Sequence, residues 1–449
     1  MTTGRPLQPS EIAIAGGGIS GLASAHALAK AGHRVTLFEA SDQLGGLGTF
    51  FEYRGHFLEK FYHCMLPTDR HLLNLLSDLQ LTQDVYWKRT SFGFMTEGKL
   101  YGLNSALELL QFEPLSLPDR LRVGATGLRA RLISDKGLDD VSCVEWLTQL
   151  SGRRSFEQFW KPMLQAKFGD RYSDIPALWF WRRLNREKGS GPERKGYIRG
   201  GYRRIIDALA DSIRKNRGEM RLSQPVTSLD LDAYGRPLVG VAGADPRAFD
   251  QLLVASPVIG LNKAATGGKL DRVLARADAG VDYQGVVNAV FFLRRGFSKH
   301  YWVATMDEDI PFQGIVESTN LLEPEEAAGH TLVYVMNYVH RSEPFFALAE
   351  TEILSRYEAG LRRLFPDLRQ EHIVDRFLFR SPFVEPLYSL GYLQRRPPTV
   401  LLDRKVFLAT TTQVYPDVTS WNGSIGVANA AVTSMTQQGS VLSLQSNKP

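Results

Sequence analysis

Three glycines, Gly16, Gly18 and Gly21, stand in G-x-G-x-x-G spacing within EIAIAGGGISGLASAHALAKAGHRVTLFEAS, residues 11–41. Glu39 follows at the end of the next apolar run. This order of parts suits a phosphate-bearing dinucleotide. Gly16 permits a tight turn, Gly18 lets backbone approach a pyrophosphate, and Gly21 lets a helix pack close to a strand. The N–H groups at the helix start, around Ile19 and Ser20, face the anion. Glu39, with Ala40 beside it, is placed to accept hydrogen bonds from the adenosine ribose. A second glycine pair, Gly45 and Gly46, comes soon after, followed by Leu47 and Gly48. A nicotinamide site has no evident need of it. An extended, buried FAD does, because a second loop must run along its pyrophosphate toward the ring.

The nearest titratable groups lie in HFLEKFYH, residues 56–63: His56, Glu59, Tyr62 and His63. If a bound flavin accepts hydride, the accompanying proton goes to a base or water. Glu59, Tyr62 and His63 are therefore the catalytic candidates. The plainer alternatives are that Glu59 pairs with Lys60 or Arg54 and that Tyr62 is core. Lys88 is a further candidate for a place near the flavin. No Ser-His-Asp order and no metal-ligand spacing is visible, so no metal is expected.

The elements that must position these residues are legible from pattern. EIAIA (11–15) reads as a buried strand, residues 19–32 as an alanine-slimmed helix ending near Gly32, and RVTLFEA (34–40) as a second strand. Residues 68–81 read as an amphipathic helix. Residues 86–103 read as a hairpin turning at Glu97–Gly98. Residues 104–190 read as mainly helical, with breaks at Pro114, Pro118, Gly127 and Gly152. A glycine pair at 200–201 leads into a helix with Ile205, Ile206, Leu209 and Ile213 on one face. Residues 219–241 read as strand and hairpin, 249–257 as a buried strand, and 281–395 as strand-rich. Residues 405–435 read as strand, turn and a small-residue helix.

GGGISGLASAHALAKAGHRVTLFEASDQLGG resembles the flavin amine oxidase superfamily, which includes protoporphyrinogen oxidases and phytoene-type desaturases. LEKFYH (58–63) and YWVATMDEDIPFQGIVESTN (301–320) resemble bacterial members described as protoporphyrinogen-oxidase-like. One departure is Leu47, where the family often carries Arg. The resemblance implies an α/β fold with an α+β substrate part. A Rossmann-type FAD-binding domain of glutathione-reductase type would be built from 8–90, 195–275 and 396–440. A substrate domain of helices and a mixed sheet would be interleaved at 91–194 and 276–395, with flexible termini at 1–7 and 441–449. It further implies backbone contacts from Val226 to the adenine. Asn422, Gly423 and Ser424, at the start of the last helix, would meet the pyrimidine side of the flavin. Tyr301, Trp302, Glu317 and Asn320 are expected to line the substrate pocket.

The expected function is an FAD-dependent oxidoreductase, an oxidase, dehydrogenase or desaturase. It would take hydride from a C–C or C–N bond of a small, largely apolar, isoprenoid-like substrate. Two other readings stand beside it: a non-redox sugar-nucleotide mutase of UDP-galactopyranose mutase type, and a flavoprotein with a structural FAD. The 449 residues give ample length for a large core. Apolar runs are too short for a membrane span, no apolar signal core opens the chain, and two cysteines suit a reducing compartment, so the expected location is cytoplasmic.

The net charge is +5, with basic residues concentrated at 182–204. That cluster reads as a solvated face, a membrane contact or a grip on an anionic substrate; no nucleic-acid motif accompanies it. Residues 106–133 mix Leu109, Leu110, Leu121 and Leu128 with Arg120, Arg122, Arg129 and Arg131. This composition suits peripheral membrane contact, with Trp179, Phe180 and Trp181 as further contacts. A buried helix with a charged outer side explains the same pattern.

Overall fold

The computed structural model describes residues 9–186, 194–261, 264, 268–278, 280–305, 307 and 309–437. The expected flexible termini, 1–7 and 441–449, lie outside the described residues, as does Lys188 of the basic segment.

The first sheet has six strands. In spatial order they are β19 (Val400–Leu402), β20 (Val406–Leu408), β13 (Gln251–Val254), β1 (Glu11–Ala15), β2 (Arg34–Phe38) and β9 (Glu219–Arg221). All neighbours pair in parallel except β19 with β20. Helix α1 (Ile19–Lys30) joins β1 to β2 and is buried on nearly every side. Its glycine and alanines make that possible: a slim helix can touch the sheet as well as two neighbours, α7 (Arg203–Lys215) and α9 (Trp421–Thr436). Ile205, Ile206, Leu209 and Ile213 form the buried stripe of α7, as their spacing predicts. A small sheet of β10 (Val226–Leu231), β11 (Pro237–Val241) and β12 (Arg247–Ala248) packs beside this layer.

The second sheet has seven strands. Their order is β18 (Ile373–Leu387), β14 (Asp282–Leu293), β17 (Thr331–His340), β16 (Gly314–Glu317), β15 (Trp302–Thr305), β6 (Phe92–Thr96) and β7 (Lys99–Gly102). Only β15 and β6 pair in parallel, so the sheet is mixed. Strand β14 is apolar along most of its length because both its faces are covered. Val286, Val290 and Phe292 join the core shared with the first sheet, while Val287, Ala289 and Phe291 face α8 (Glu350–Leu364). Two ribbons complete the strands: β3 (Phe50–Tyr53) with β4 (His56–Glu59), and β5 (Val85–Arg89) with β8 (Arg194–Ile198).

A helical lobe carries α3 (Ala106–Leu110), α4 (Leu117–Leu132), α5 (Cys143–Ser151) and α6 (Ala177–Asn185). It follows α2 (Arg70–Asp78), which lies against α9. Four expectations are corrected here. Pro118 starts α4 rather than breaking a helix, because the first turn needs no amide hydrogen there. Gly127 lies inside α4. The hairpin expected at 86–103 is β6–β7 alone, turning at Glu97–Gly98, while Tyr86–Arg89 pairs with β8. Trp179 and Phe180 are also not membrane-facing: both are buried in the aromatic core of the lobe. Trp181 is half-buried, and its indole N–H donates to the Ile133 carbonyl, 3.0 Å away.

Candidate functional site

The glycine loop has the geometry of a phosphate cradle. Gly16 sits at φ +116°, which favours glycine, and a Cβ on Gly21 would lie 1.9 Å from the Gly16 carbonyl oxygen. Helix and strand could not approach this closely with any other residue. At Gly18 the opposite holds. A Cβ there would meet only Gly46 Cα, at 3.9 Å, so space remains above the backbone. Gly18 is the N-cap of α1, and no side chain caps the helix or places an acid in its first turn. The N–H groups of Ile19, Ser20 and Gly21 therefore lack intrahelical partners and fit a pyrophosphate. Glu39 bends back to this loop. One carboxylate oxygen accepts from the Gly17 N–H at 2.7 Å and the other from the Ser41 N–H at 2.8 Å. Gln224 N–H donates to the Glu39 carbonyl at 2.9 Å, two residues before Val226 at the start of β10.

The second glycine loop runs alongside the first. Gly45 N–H donates to the Gly17 carbonyl at 2.9 Å, and Gly18 and Gly45 form a β-bridge. Gly45 and Gly46 both have positive φ, and half-buried Leu47 follows in the turn Gly46–Gly48. A Cβ on Gly48 would lie 2.3 Å from the Trp421 ring, so this loop abuts the start of α9.

An aromatic wall begins there. Trp421 packs edge-on to Tyr202, with centroids 4.7 Å apart, and His63 lies 5.0 Å from Tyr202 and 5.6 Å from Trp421. Tyr62 continues the wall to Trp302 at 5.1 Å. The fully buried Tyr301 stands next to the Cys64 thiol. Residues 60–64 are deep in the molecule yet retain accessible surface, as the lining of an interior space does. Asn288, on β14, pins this stretch by donating to the Lys60 carbonyl at 2.7 Å.

Burial keeps the wall uncharged. It pushes the His63 imidazole down to about 4, against the ordinary 6.5. It drives the Tyr62 phenol well above its usual range and raises the Cys64 thiol. His63 Nδ1 lies 2.7 Å from the Phe61 carbonyl, which can only accept, so Nδ1 carries the proton and Nε2 keeps its lone pair.

Glu59 adjoins the wall but is held inward. Its carboxylate accepts from the Tyr197 hydroxyl at 2.7 Å and from the Tyr202 N–H at 2.6 Å. Its backbone carbonyl accepts from the Tyr334 hydroxyl at 2.8 Å. Burial raises its pKa against these bonds, which favour the ionised form. Neither Lys60 nor Arg54 pairs with it; Arg54 reaches Asp375 at 3.4 Å.

The structure thus brings Tyr62, His63, Tyr301 and Trp302 together with Tyr202 and Trp421. It does not bring Glu317 or Asn320 to the wall. On β16, Val316 is the residue opposite Trp302 and Tyr334, so strand alternation turns Glu317 to the other face. There its carboxylate accepts from the Ser298 N–H at 3.0 Å. The Asn320 amide donates to the carbonyls of Ser298 and His300.

Asn422 is also engaged elsewhere. Its carbonyl accepts from the His71 and Leu72 N–H groups at 2.8 and 3.2 Å, capping α2, which has no N-cap side-chain bond of its own. Gly423 N–H is taken by the Ser420 hydroxyl at 3.2 Å, and Ser424 is buried in the first turn of α9. Lys88 pairs with Glu323 at 3.0 Å. Much of the basic segment is internally paired: Arg186 with Asp69 at 2.9 Å, Arg203 with Asp207 at 3.1 Å and Arg204 with Asp84 at 2.8 Å.

Sequence reasoning missed Tyr202, Trp421 and Asn288. The first two had a signal, since each is a large aromatic beside glycine: Tyr202 follows Gly200–Gly201, and Trp421 stands two residues before Gly423. Asn288 had none, being one polar residue in an apolar strand.

Residues 19–420 match the model of the family described as flavin containing amine oxidoreductase. A 15-cis-phytoene desaturase of Solanum lycopersicum is 26% identical over 255 residues, covering 51% of this chain and 43% of that protein. The chain thus spans less than half the length of the curated relatives it matches. In fold it is similar to a candidate protoporphyrinogen oxidase from Exiguobacterium sp. 255-15, with a TM-score of 0.78 at 15% identity, covering 96% of this chain and 99% of that one. It is similar also to a reduced UDP-galactopyranose mutase, with a TM-score of 0.73 at 16% identity, covering 94% of each chain. With the family model spanning most of the chain and a glycine cradle suited to a dinucleotide, the chain belongs to the flavin containing amine oxidoreductase family, and FAD is its cofactor.

Proposed function

We propose that the protein is an FAD-dependent oxidoreductase that removes hydride from a C–C or C–N bond of a small, largely apolar substrate. Desaturation of an isoprenoid-like chain is the favoured case. The observation that carries this reading is the aromatic, uncharged wall of Tyr62, His63, Tyr202, Trp302 and Trp421. Such a wall favours a flat apolar molecule, with Lys195, 6.0 Å from the Tyr301 ring, as a cation at its margin. Bound flavin supplies the hydride acceptor. The protein's own part is to orient the substrate, exclude water and provide a proton acceptor. Tyr62, Trp302 and Trp421 do the first two. His63 Nε2 keeps a lone pair for the proton lost from the neighbouring carbon, which it takes or passes to water. The desaturase relative points to the same substrate class. The mutase reading is weaker, because Arg186, Arg203 and Arg204 are committed to carboxylates of the chain itself.

The two sheets support the domain division given above, with 8–90, 195–275 and 396–440 around the cofactor and 91–194 and 276–395 around the substrate. We place the protein in the cytoplasm with peripheral contact to a membrane, the natural store of such substrates. Among the described residues no helix is long and apolar enough to cross one. The test is anaerobic addition of isoprenoids, amines and nucleotide sugars to the purified holoprotein. An isoprenoid is expected to bleach the visible flavin band. Turnover of a nucleotide sugar only after prior flavin reduction would overturn the proposal in favour of a mutase. No bleaching by any of them would favour a structural FAD.

A further inference from the structure

Six leucines are exposed on two adjoining helices of the lobe. Leu107 and Leu110 on α3, and Leu117, Leu121, Leu128 and Leu132 on α4, are between 40% and 80% accessible. They make up half of the twelve large apolar side chains exposed among the described residues, within one stretch of 26 positions. On α4 the pattern is inverted relative to a core helix. Asp119, Val123, Thr126 and Ala130 form the buried face. At 100° per residue the four α4 leucines fall within a stripe about 60° wide. Arg122 and Arg129 flank the stripe on one side, Arg120 and Arg131 on the other. The one acid in α4, Asp119, is buried and bonded to Ser116 and Ser155. Helix α3 is tied beside this stripe: Arg120 donates to the Leu110 carbonyl at 2.6 Å, and Leu109 lies over Gly124.

We propose that this leucine face is a docking surface for an anionic lipid bilayer. The inference rests on the apolar-substrate reading above and adds where the membrane sits. Three features select lipid over protein. The stripe is leucine without aromatic anchors, whereas protein hot spots are rich in Trp, Tyr and Arg and poor in Leu. Apolar side chains between arginine flanks suit the boundary of headgroups and acyl chains, with leucines below and guanidinium groups at phosphate level. A second copy of the same face would set arginine rows against arginine rows, since a two-fold interface meets itself. Arg153 and Arg154, largely exposed on the adjoining turn, extend the basic rim. The next helix inward, α6, is bound to α4 and its end through Asn185 and Trp181. It leads to Arg186 and Asp69 beside the candidate site. The face is therefore tied, through α6, to the Arg186–Asp69 pair that acts on Tyr202.

The experiment is co-sedimentation of the holoprotein with vesicles of phosphatidylcholine, alone or with about 30% phosphatidylglycerol, at low and high salt. The variants are Leu121→Glu/Leu128→Glu and, as a control on another surface, Tyr234→Glu. The wild type and Y234E are expected to sediment with anionic vesicles, more weakly at high salt. The double variant is expected to lose binding by at least about tenfold, because two leucines that enter the bilayer boundary become charged. An unchanged flavin spectrum and thermal midpoint show that it is folded. Equal sedimentation of wild type and double variant, or none by the wild type at low salt, overturns the proposal. A wild type that self-associates in gel filtration while the double variant is monomeric also overturns it, in favour of a second copy. Sedimentation needs no turnover, so it stands apart from the flavin-bleaching test: bleaching can fail while binding holds, and the reverse.

Discussion

Glu317 is a carboxylate placed between opposing forces. Burial pushes its pKa up to about 7, while the N–H groups of Ser298 and Phe297 pull it down. The folded value therefore lies above the unfolded one of 4.5, and the folded state binds more protons between about 4.5 and 7. Its stabilising contribution is full below the lower value and is lost as the pH rises through the upper one. Glu317→Gln keeps the shape and an acceptor oxygen but cannot ionise. Relative to the wild type, it should raise the thermal midpoint at about pH 8.5 and change it little at about pH 5. Thermal scans at both pH values check this; equal shifts would mean that the carboxylate does not titrate in that window. His63 behaves in the opposite sense. Its folded pKa is depressed to about 4, so its burial costs stability only as the pH falls from 6.5 toward that value. At neutral pH it is a neutral acceptor, which suits the wall it belongs to.

At the scale of elements, α1 shows that glycines in one motif do different work. Gly21 is a packing requirement, with its missing Cβ 1.9 Å from the Gly16 carbonyl. Gly18 leaves open space and is a requirement of the ligand alone. Two single substitutions separate these roles. Gly18→Ala should leave the apoprotein's stability within about 0.5–1 kcal/mol while lowering the flavin retained on purification. Gly21→Ala should cost about 1–3 kcal/mol or prevent folding, because helix and strand must part. Visible absorbance per mole of protein and urea unfolding of the apoprotein check both. Equal losses of stability would remove the distinction. The two ends of α1 and α9 differ in the same spirit: the first is uncapped, whereas the second is closed by Ser420.

At the scale of the molecule, Glu59 is a joint. It belongs to β4, bonds Tyr197 of β8 and the backbone of Tyr202 at the entry to α7, and through its carbonyl holds Tyr334 of β17. The two ribbons, the second sheet and the aromatic wall thus meet at one buried acid. Glu59→Ala strands a buried hydroxyl and a buried N–H and should cost about 2–4 kcal/mol. It should also alter the visible circular dichroism of the flavin, since Tyr202 loses its anchor. Glu59→Gln, which preserves acceptors, should recover part of both. Denaturant unfolding and dichroism of the holoprotein check this. An undisturbed flavin signal in the alanine variant would confine Glu59 to holding the fold.

The dinucleotide cradle is local, and for that reason it was legible in the chain. Gly16, Gly18, Gly21 and Glu39 act through turn geometry and the amides of a single β–α–β unit, which 29 contiguous residues encode. Most elements were legible too, from their periodicity. Tyr62, His63 and Trp302 were legible as candidates, but their meeting with Tyr202 and Trp421 was not, because the wall assembles residues from four separate segments. Spacing along a chain carries no record of such a meeting. The direction of Glu317, the diversion of Asn422 to α2 and the exposure of leucines on α4 are likewise decisions of the tertiary structure. Each depends on which face of a strand or helix finds a neighbour, and only the packed molecule settles that.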